Sequence, residues 1–130
     1  KENSSLTFLG LWDNDIGERG AREVVMALRE NSVLKSLNLG RNHIGNGGIG
    51  NGSMRELAWA LRENSRLMTL VLQSCGIGEH GARELAIALK ENRTLALLDL
   101  GCNDIGEGGV MELLEALDYN SDLMSLDMEV

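Results

Sequence analysis

Residues that could do nucleophilic or acid–base chemistry are few in this 130-residue chain, and they are scattered along it. The two histidines are His43 and His80, and the two cysteines are Cys75 and Cys102. A nucleophile such as Ser74 or Cys75 needs a general base beside it, and no spacing in the sequence predicts one. The Cys and His residues also lack the spacing of zinc ligands. We therefore expect no catalysis, no metal site and no cofactor.

One glycine-rich segment matches a phosphate-binding pattern. Gly45, Gly47 and Gly50 fit G-x-G-x-x-G between a strand pattern and a helix pattern. A dinucleotide site would need these glycines directly at the strand end, with an acid at the end of a second strand. Here they lie inside an inserted segment, residues 45–52, that has no phosphate-binding lysine. We interpret this segment as a flexible loop that protrudes from the fold.

A sequence repeat predicts the strands and helices that position all these residues. The pattern L-x-x-L-x-L, then Asn or Cys three residues on, then x-Ile-Gly, begins at residues 6, 34, 67 and 95, and a truncated copy begins at 123. The intervals are 28, 33, 28 and 28 residues, and a fixed period of this kind is typical of a solenoid. We expect one array over residues 1–130, belonging to a longer array, with units near 6–33, 34–66, 67–94, 95–122 and a partial unit 123–130.

Two apolar periods alternate inside each unit. The leucines of L-x-x-L-x-L alternate with other residues, which predicts a short strand. After Ile-Gly the spacing becomes helical, as at Ala82, Leu85 and Leu89. Successive strand–helix units predict an α/β fold: a right-handed solenoid bent into an arc, with a parallel sheet on the concave side and helices on the convex side. We expect the asparagines that end the helices to adopt the left-handed cap conformation; they are Asn31, Asn64, Asn92 and Asn120.

The repeat motif stands almost intact from Leu67 to Asn92. It resembles the leucine-rich repeat family, in the ribonuclease-inhibitor-like subclass with 28-residue units, and the resemblance covers essentially the whole chain. The resemblance implies protein recognition on the concave strand face, usually without catalysis. It also implies that one residue per unit bonds backbone groups between neighbouring coils; these ladder residues are Asn14, Asn42, Cys75 and Asn103.

The net charge and the apolar content of the chain limit the classes of partner that it could bind. The net charge of -8 and the sequence pI near 4.7 argue against a nucleic-acid surface, which needs clustered Lys and Arg. The longest apolar run, residues 24–28, is too short to span a bilayer. We expect a protein partner with a basic surface. Two cysteines are too few for a disulfide framework, so we expect reduced thiols and a cytoplasmic protein.

The concave face consists of the side chains that alternate with the buried leucines. Aromatic residues gather at its N-terminal end and acids at its C-terminal end, a combination that suits a binding hot spot. The same distribution would also arise from variation at exposed positions, or from packing of the aromatic residues against a preceding repeat. The predicted partner-binding residues are Phe8, Trp12, Asn38, Arg41, Val71, Gln73, Asp99 and Asp127.

A second apolar row is expected on the convex side. Met26, Trp59 and Ile87 occupy the same position in three successive helices, facing away from the buried stripe, whereas the fourth unit has Glu115 there. An exposed apolar patch often marks an interface, although single apolar surface residues are normal. We interpret the row as a contact within a larger assembly.

Function has one main interpretation and two alternatives. The main one is a non-enzymatic module that binds a protein through the concave face. By resemblance to a GTPase-activating leucine-rich repeat protein, Arg41 at a strand exit could orient a nucleotide-bound partner, but family resemblance does not carry catalytic residues. The other alternative is the sensor region of a nucleotide-binding innate immune receptor.

Overall fold

The computed structural model describes residues 5–44 and 51–129. Five strands of three residues alternate with four helices of 11 to 14 residues. In chain order they are β1 (Phe8–Gly10), α1 (Gly17–Glu30), β2 (Ser36–Asn38), α2 (Asn51–Glu63), β3 (Thr69–Val71), α3 (Glu79–Glu91), β4 (Leu97–Asp99), α4 (Gly106–Ala116) and β5 (Ser125–Asp127).

All five strands form one parallel sheet in the order β1-β2-β3-β4-β5. The register keeps equivalent residues of each unit side by side, so the central leucines line up from Leu9 to Leu126. Those of the inner strands, Leu37, Leu70 and Leu98, are completely buried. They point into the space between sheet and helices, which leaves the flanking strand residues on the opposite, concave face.

The helices form a second layer in which, within residues 5–44 and 51–129, each packs against its sequence neighbours alone, α1 on α2, α2 on α3 and α3 on α4. Leucines such as Leu28, Leu61 and Leu89 fill the space between helix and sheet and are almost fully buried. The predicted solenoid, with the sheet inside the arc and helices outside it, is confirmed. Residues 45–50, with most of the predicted insertion loop and the G-x-G-x-x-G pattern, lie outside the described residues. The loop prediction is wrong for Asn51 and Gly52, which begin α2.

A side-chain ladder joins each strand exit to the unit before it. Asn103 is buried and makes five hydrogen bonds: Oδ1 accepts from the N–H groups of Cys75 (2.9 Å) and Ile77 (3.0 Å), and Nδ2 donates to three carbonyl oxygens. Asn42 makes the same five bonds with the equivalent groups of the first and second units. The ladder role implied by the family resemblance is therefore present in the structure.

Cys75 occupies the ladder position of the third unit with a thiol in place of an amide. Its Sγ lies 3.1 Å from the carbonyl oxygen of Leu39, to which the thiol donates. Burial raises the pKa of the Cys75 thiol to about 11, and backbone hydrogen bonds offset only part of that shift. Since only a thiolate is a good nucleophile, Cys75 is an inert structural residue at neutral pH. Both cysteines are free, and Cys102 is exposed.

The asparagines after the helices differ from the expected caps. Asn31 and Asn92 have extended backbones, with φ of -85° and -74°, so the left-handed prediction is wrong for them. Instead, Asn92 Oδ1 accepts from the N–H groups two and three residues on, and Asn92 Nδ2 donates to the carbonyl oxygen of Leu61 at 2.7 Å. Asn120 repeats this arrangement one unit later. These residues form a second ladder at the helix ends.

We predict that Asn103→Ala lowers the free energy of unfolding by about 3 kcal/mol, because it leaves several buried backbone groups without a partner. The matched control is Asn14→Ala. Asn14 holds the same position in the first unit but is exposed, and among the described residues its side chain donates to the carbonyl oxygens of Leu11 and Trp12, in its own unit, so we expect a loss of about 1 kcal/mol or less. Urea denaturation followed by circular dichroism measures both. Equal losses would contradict the ladder's role.

Candidate partner-binding surfaces

The concave face is built by the strand residues on either side of the buried leucines. One row of sheet partners runs from Phe8 to Ser125, and the next runs from Gly10 to Asp127. Phe8 is exposed, while Val71 and Asp99 are partly buried by their neighbours. Because the sheet is parallel and in register, the predicted residues form a continuous surface across all five units.

Its N-terminal end is an aromatic and cationic corner. The Trp12 ring lies against Gly40, where an added Cβ would come within 2.6 Å of Cδ1 of the indole. The Arg41 guanidinium sits 5.1 Å from the centre of the Trp12 ring, and its Nε is 3.6 Å from the Asp13 carboxylate. Gly40 thus makes room for the indole, and Arg41 covers it. Trp12 remains about half exposed, so the corner presents an ordered aromatic surface.

The polar residues of the concave face have a structural role that the sequence did not reveal. Asn38 Oδ1 accepts a hydrogen bond from the N–H of Gly40 at 2.9 Å, and Asp99 Oδ1 accepts one from Gly101 at the same distance. Asp127 bonds to the N–H of Glu129 in the same way. Each side chain therefore fixes the turn at its strand exit. The equivalence of Asn and Asp shows that this turn does not require the charge.

Val71 and Gln73 lie between the two ends. Both are partly buried, and Gln73 Nε2 is 4.0 Å from Cys102 Sγ in the next unit. This central part is less polar than the C-terminal end and continues the surface that begins at Trp12. Five of the eight predicted residues thus lie in the strands, in two adjacent rows, and Trp12, Arg41 and Gln73 lie at the strand exits beside them.

The convex row lies where the sequence placed it. Met26, Trp59 and Ile87 are each about half exposed, on the outer side of α1, α2 and α3. The Trp59 indole N–H donates to Glu63, and the Arg29 guanidinium lies 5.9 Å from the centre of the ring. These contacts link the indole to Glu63 on α2 and to Arg29 on α1.

A third apolar surface is not among the predicted binding residues. It lies beside α4 and β5 at the C-terminal side of the solenoid, and it includes a groove between the α4 start and the strand that follows. Side-chain exposure reaches 62% at Met111 and 87% at Met124. We call this surface the C-terminal flank; its apolar residues are Ile105, Val110, Met111, Leu114, Met124 and Met128.

One comparison within the sequence could have revealed it. Leu114 has the same position in its unit as Val25, Ala58 and Ala86. Those three residues are at most 3% exposed, whereas Leu114 is 50% exposed. The signal for an exposed apolar surface is therefore a leucine at a position where the other units have the smaller residues Val or Ala, all of them buried.

The residues with catalytic potential are not gathered into a site. His80 Nε2 lies 3.9 Å from Glu84, on the surface of α3, and His43 is exposed at a strand exit. Within residues 5–44 and 51–129, no group of three or more His, Cys, Asp or Glu side chains could hold a metal ion. In the same part of the chain, every helix is too short or too polar to cross a membrane.

Comparison with known proteins agrees with this architecture. A family model described as Leucine Rich repeat matches residues 30–50 and 91–114. No curated protein matches the chain. Among solved structures, it is similar to the leiomodin-1 Actin-Binding Site 2, with 22% identity, a TM-score of 0.85 and coverage of 98% of this chain and 73% of that one.

It is also similar to the tropomodulin C-terminal domain of Caenorhabditis elegans, with 15% identity, a TM-score of 0.58 and coverage of 85% of this chain and 83% of that one. At such identities the likeness shows the fold, and function has to be argued from the surfaces. The family-model matches, the five-stranded parallel sheet and the outer helices agree with the repeat motif, so the chain has the leucine-rich-repeat solenoid fold, and two of its segments match the leucine-rich repeat family.

Proposed function

We propose that this chain is a non-enzymatic module that binds a protein partner on its concave face. The observation that supports the proposal best is the continuous surface from the aromatic corner at Trp12 to the acidic end at Asp127. A half-exposed tryptophan held in place by Arg41 loses little side-chain entropy on binding, which suits an interface anchor. A parallel sheet in register supplies a rigid base for it.

The charge of the concave face indicates the chemistry of the partner. Asp99, Asp127 and Glu129 cluster at the C-terminal end, so the partner surface facing them would carry Lys or Arg. Charge complementarity of this kind mainly raises the association rate and the specificity. The two free thiols support a reducing compartment, and we propose that the protein acts in the cytoplasm.

Actin is the first candidate to test. The leiomodin-1 structure with a TM-score of 0.85 is described as an actin-binding site, and this chain shares its fold at 22% identity. We propose actin on that likeness alone, and the concave surface as the place where it binds. A titration with matched variants separates these two parts of the proposal.

We predict that Trp12→Ala weakens partner binding by about 2 kcal/mol, which is about 30-fold, because it removes the aromatic anchor at the N-terminal end of the concave face. Stability should change by about 1 kcal/mol or less, since Trp12 is half exposed. The measurement is a titration of fluorescently labelled monomeric actin with the wild-type and variant chains. Trp59→Ala, which removes the same side chain from the convex side, is the matched control and should leave the affinity unchanged.

The two outcomes of that titration are distinct. Equal affinity of the wild-type and Trp12→Ala chains would contradict binding through the concave face. An absence of any actin binding by the wild-type chain would remove actin as the partner, and the same pair of variants would then be applied to proteins recovered by affinity capture.

We predict that Asp99→Asn slows association with the partner and flattens its dependence on salt concentration. Asn38 already makes the same bond to its strand exit, at the same 2.9 Å, so the substitution removes charge without disturbing the turn. The expected change is about three- to tenfold in the association rate at low salt, with little change in the dissociation rate. Stopped-flow mixing at two ionic strengths measures it. An unchanged rate would show that the acidic end does not face the partner.

We further propose that the convex row of Met26, Trp59 and Ile87 is a separate contact within a larger assembly. The supporting observation is that three half-exposed apolar side chains occur at equivalent positions on adjacent helices. The row lies on the opposite side of the molecule from the concave face, so both surfaces can be occupied together.

The chain has two tryptophans, so Trp12→Phe leaves Trp59 as a single fluorescent reporter. We predict that Trp59 emission shifts to shorter wavelength, and that its quenching by acrylamide falls by about half or more, when the assembly forms, because the indole leaves water. Binding of the concave partner alone should leave this emission unchanged. A Trp59 that stays fully open to acrylamide in the native assembly would contradict the convex contact.

A further inference from the structure

Ion pairs on the outer side of the solenoid join α1 to α2 and α2 to α3 in the same order. An arginine on one helix pairs with an acid on the following helix, and each of the two boundaries has one pair on either side of the convex row. Such exposed pairs contribute little stability, but they fix the order of charge along the array, with Arg first and the acid second. The pairs are Arg22 with Glu56 (3.7 Å), Arg55 with Glu84 (3.9 Å), Arg29 with Glu63 (3.6 Å) and Arg62 with Glu91.

The convex row lies between the two lines of ion pairs. Its apolar residue comes four residues after one arginine and three residues before a second basic residue in each of the three helices. Trp59 is at the centre, with Met26 on α1 and Ile87 on α3 beside it, and all three are about half exposed. The convex surface is therefore an apolar strip with ion pairs along both edges.

This surface is complementary to itself after one rotation. A two-fold axis parallel to α2 and passing beside Trp59 keeps the direction of the helices and reverses their order, so α1 of one copy faces α3 of the other. The order of charge at each boundary is reversed as well, so each arginine faces an acid. Trp59 meets its counterpart at the axis, and Met26 meets Ile87. The facing charges are Arg22 and Glu84, Arg55 and Glu56, Arg29 and Glu91, and Arg62 and Glu63.

The second two-fold rotation that superposes the convex rows has the opposite result. Its axis runs along the row, so it keeps the order of the helices and reverses their direction. The pairs near the helix starts then face the pairs near the helix ends, with Arg22 on Arg29 and Glu56 on Glu63. Like charges that face each other across an interface oppose that arrangement. The ion pairs thus favour one geometry.

The net charge of the three helices also suits a second copy. Together α1, α2 and α3 contain eight acidic residues and seven Lys and Arg residues, although the whole chain has a net charge of -8. Two such surfaces therefore approach without strong repulsion, and a highly charged partner would find no excess of opposite charge. Since the convex side curves away from α2 in both directions, the contact centres on α2.

We infer that a second copy of this chain docks on the convex row, with the two-fold axis parallel to α2. This inference deepens the convex contact proposed above and rests on it, because it names the occupant of that surface. Only three half-exposed apolar side chains of each copy are covered. The interface is therefore small and the dimer weak, with a dissociation constant on the order of 100 µM.

Sedimentation velocity of the 130-residue chain from about 1 µM to about 1 mM tests the dimer. Trp59→Glu places a carboxylate at the axis and should weaken dimerisation at least about tenfold. Met68→Glu is the matched control, since it adds the same charge at a side chain that is 48% exposed just before β3, away from the row. We expect it to change dimerisation by less than about threefold. A chain that stays monomeric over the whole range would overturn the inference, and so would equal weakening by both variants.

Arg22→Glu and Glu84→Arg test the direction of the axis. Arg22 is on α1 and Glu84 on α3, and within residues 5–44 and 51–129 these helices do not pack against each other, so compensation has to come from another copy. Each variant alone places like charges opposite each other, and we expect its self-association to weaken at least about fivefold.

A mixture of these two variants should form a heterodimer about as tight as the wild-type dimer, because the new carboxylate of one chain faces the new guanidinium of the other. Chains labelled with two fluorophores report it by energy transfer. A heterodimer no tighter than the two variant homodimers would overturn the inference. Tighter self-association of Arg22→Glu than of the wild-type chain would also overturn it, in favour of the axis along the row.

The outcomes separate the second copy from the convex contact itself. If the chain alone stays monomeric while Trp59 emission shifts in the native assembly, another protein covers the row, and only the present inference fails. If Trp59 stays open to acrylamide both in the assembly and in the concentrated chain, both fail. Circular dichroism melting of each variant checks that the fold is retained.

Discussion

Each unit of this protein depends on the next unit to satisfy its polar backbone groups. At the strand exits some backbone groups bond directly to the next unit, as the N–H of Ser74 does to the carbonyl oxygen of Gly101, and the side chains of Asn42 and Asn103 supply donors and acceptors for others. The helix ends have the same need, and Asn92 and Asn120 meet it. Since a buried amide without a partner is costly, these few side chains set the distance and register between units. The leucines fill the volume that this spacing defines.

The sequence predicts this fold well because the spacing of its leucines matches the geometry of a strand in one half of each unit and of a helix in the other half. A strand with alternating leucines and a helix with leucines three and four residues apart can bury their apolar sides only against each other. The ladder role of Asn42, Cys75 and Asn103 was implied by the family resemblance, which rests on their fixed distance from the last strand leucine. The left-handed cap was wrongly predicted, because Asn tolerates that conformation but forms an Asx turn when its side chain can also reach the neighbouring unit.

The candidate surfaces were predicted less completely. Strand alternation correctly placed residues such as Phe8 and Asp99 on one face, but it gave no sign that Asp99 also fixes its own turn or that Arg41 covers Trp12. The C-terminal flank needs a comparison of equivalent positions in different units, since Leu114 looks like an ordinary core residue within its own helix. The exposure of a helix residue depends on which unit packs beside its helix, so it cannot be predicted from the sequence of one unit alone.

The uneven distribution of charge along the solenoid has a physical consequence of its own. All 12 Lys and Arg residues precede position 94 and offset the acids there, whereas residues 94–130 hold nine uncompensated carboxylates. The array over these residues therefore carries an electric dipole along the direction in which its units stack. In the field of a positively charged surface it experiences a torque before any atoms touch, and this torque turns α4 and β5 toward that surface.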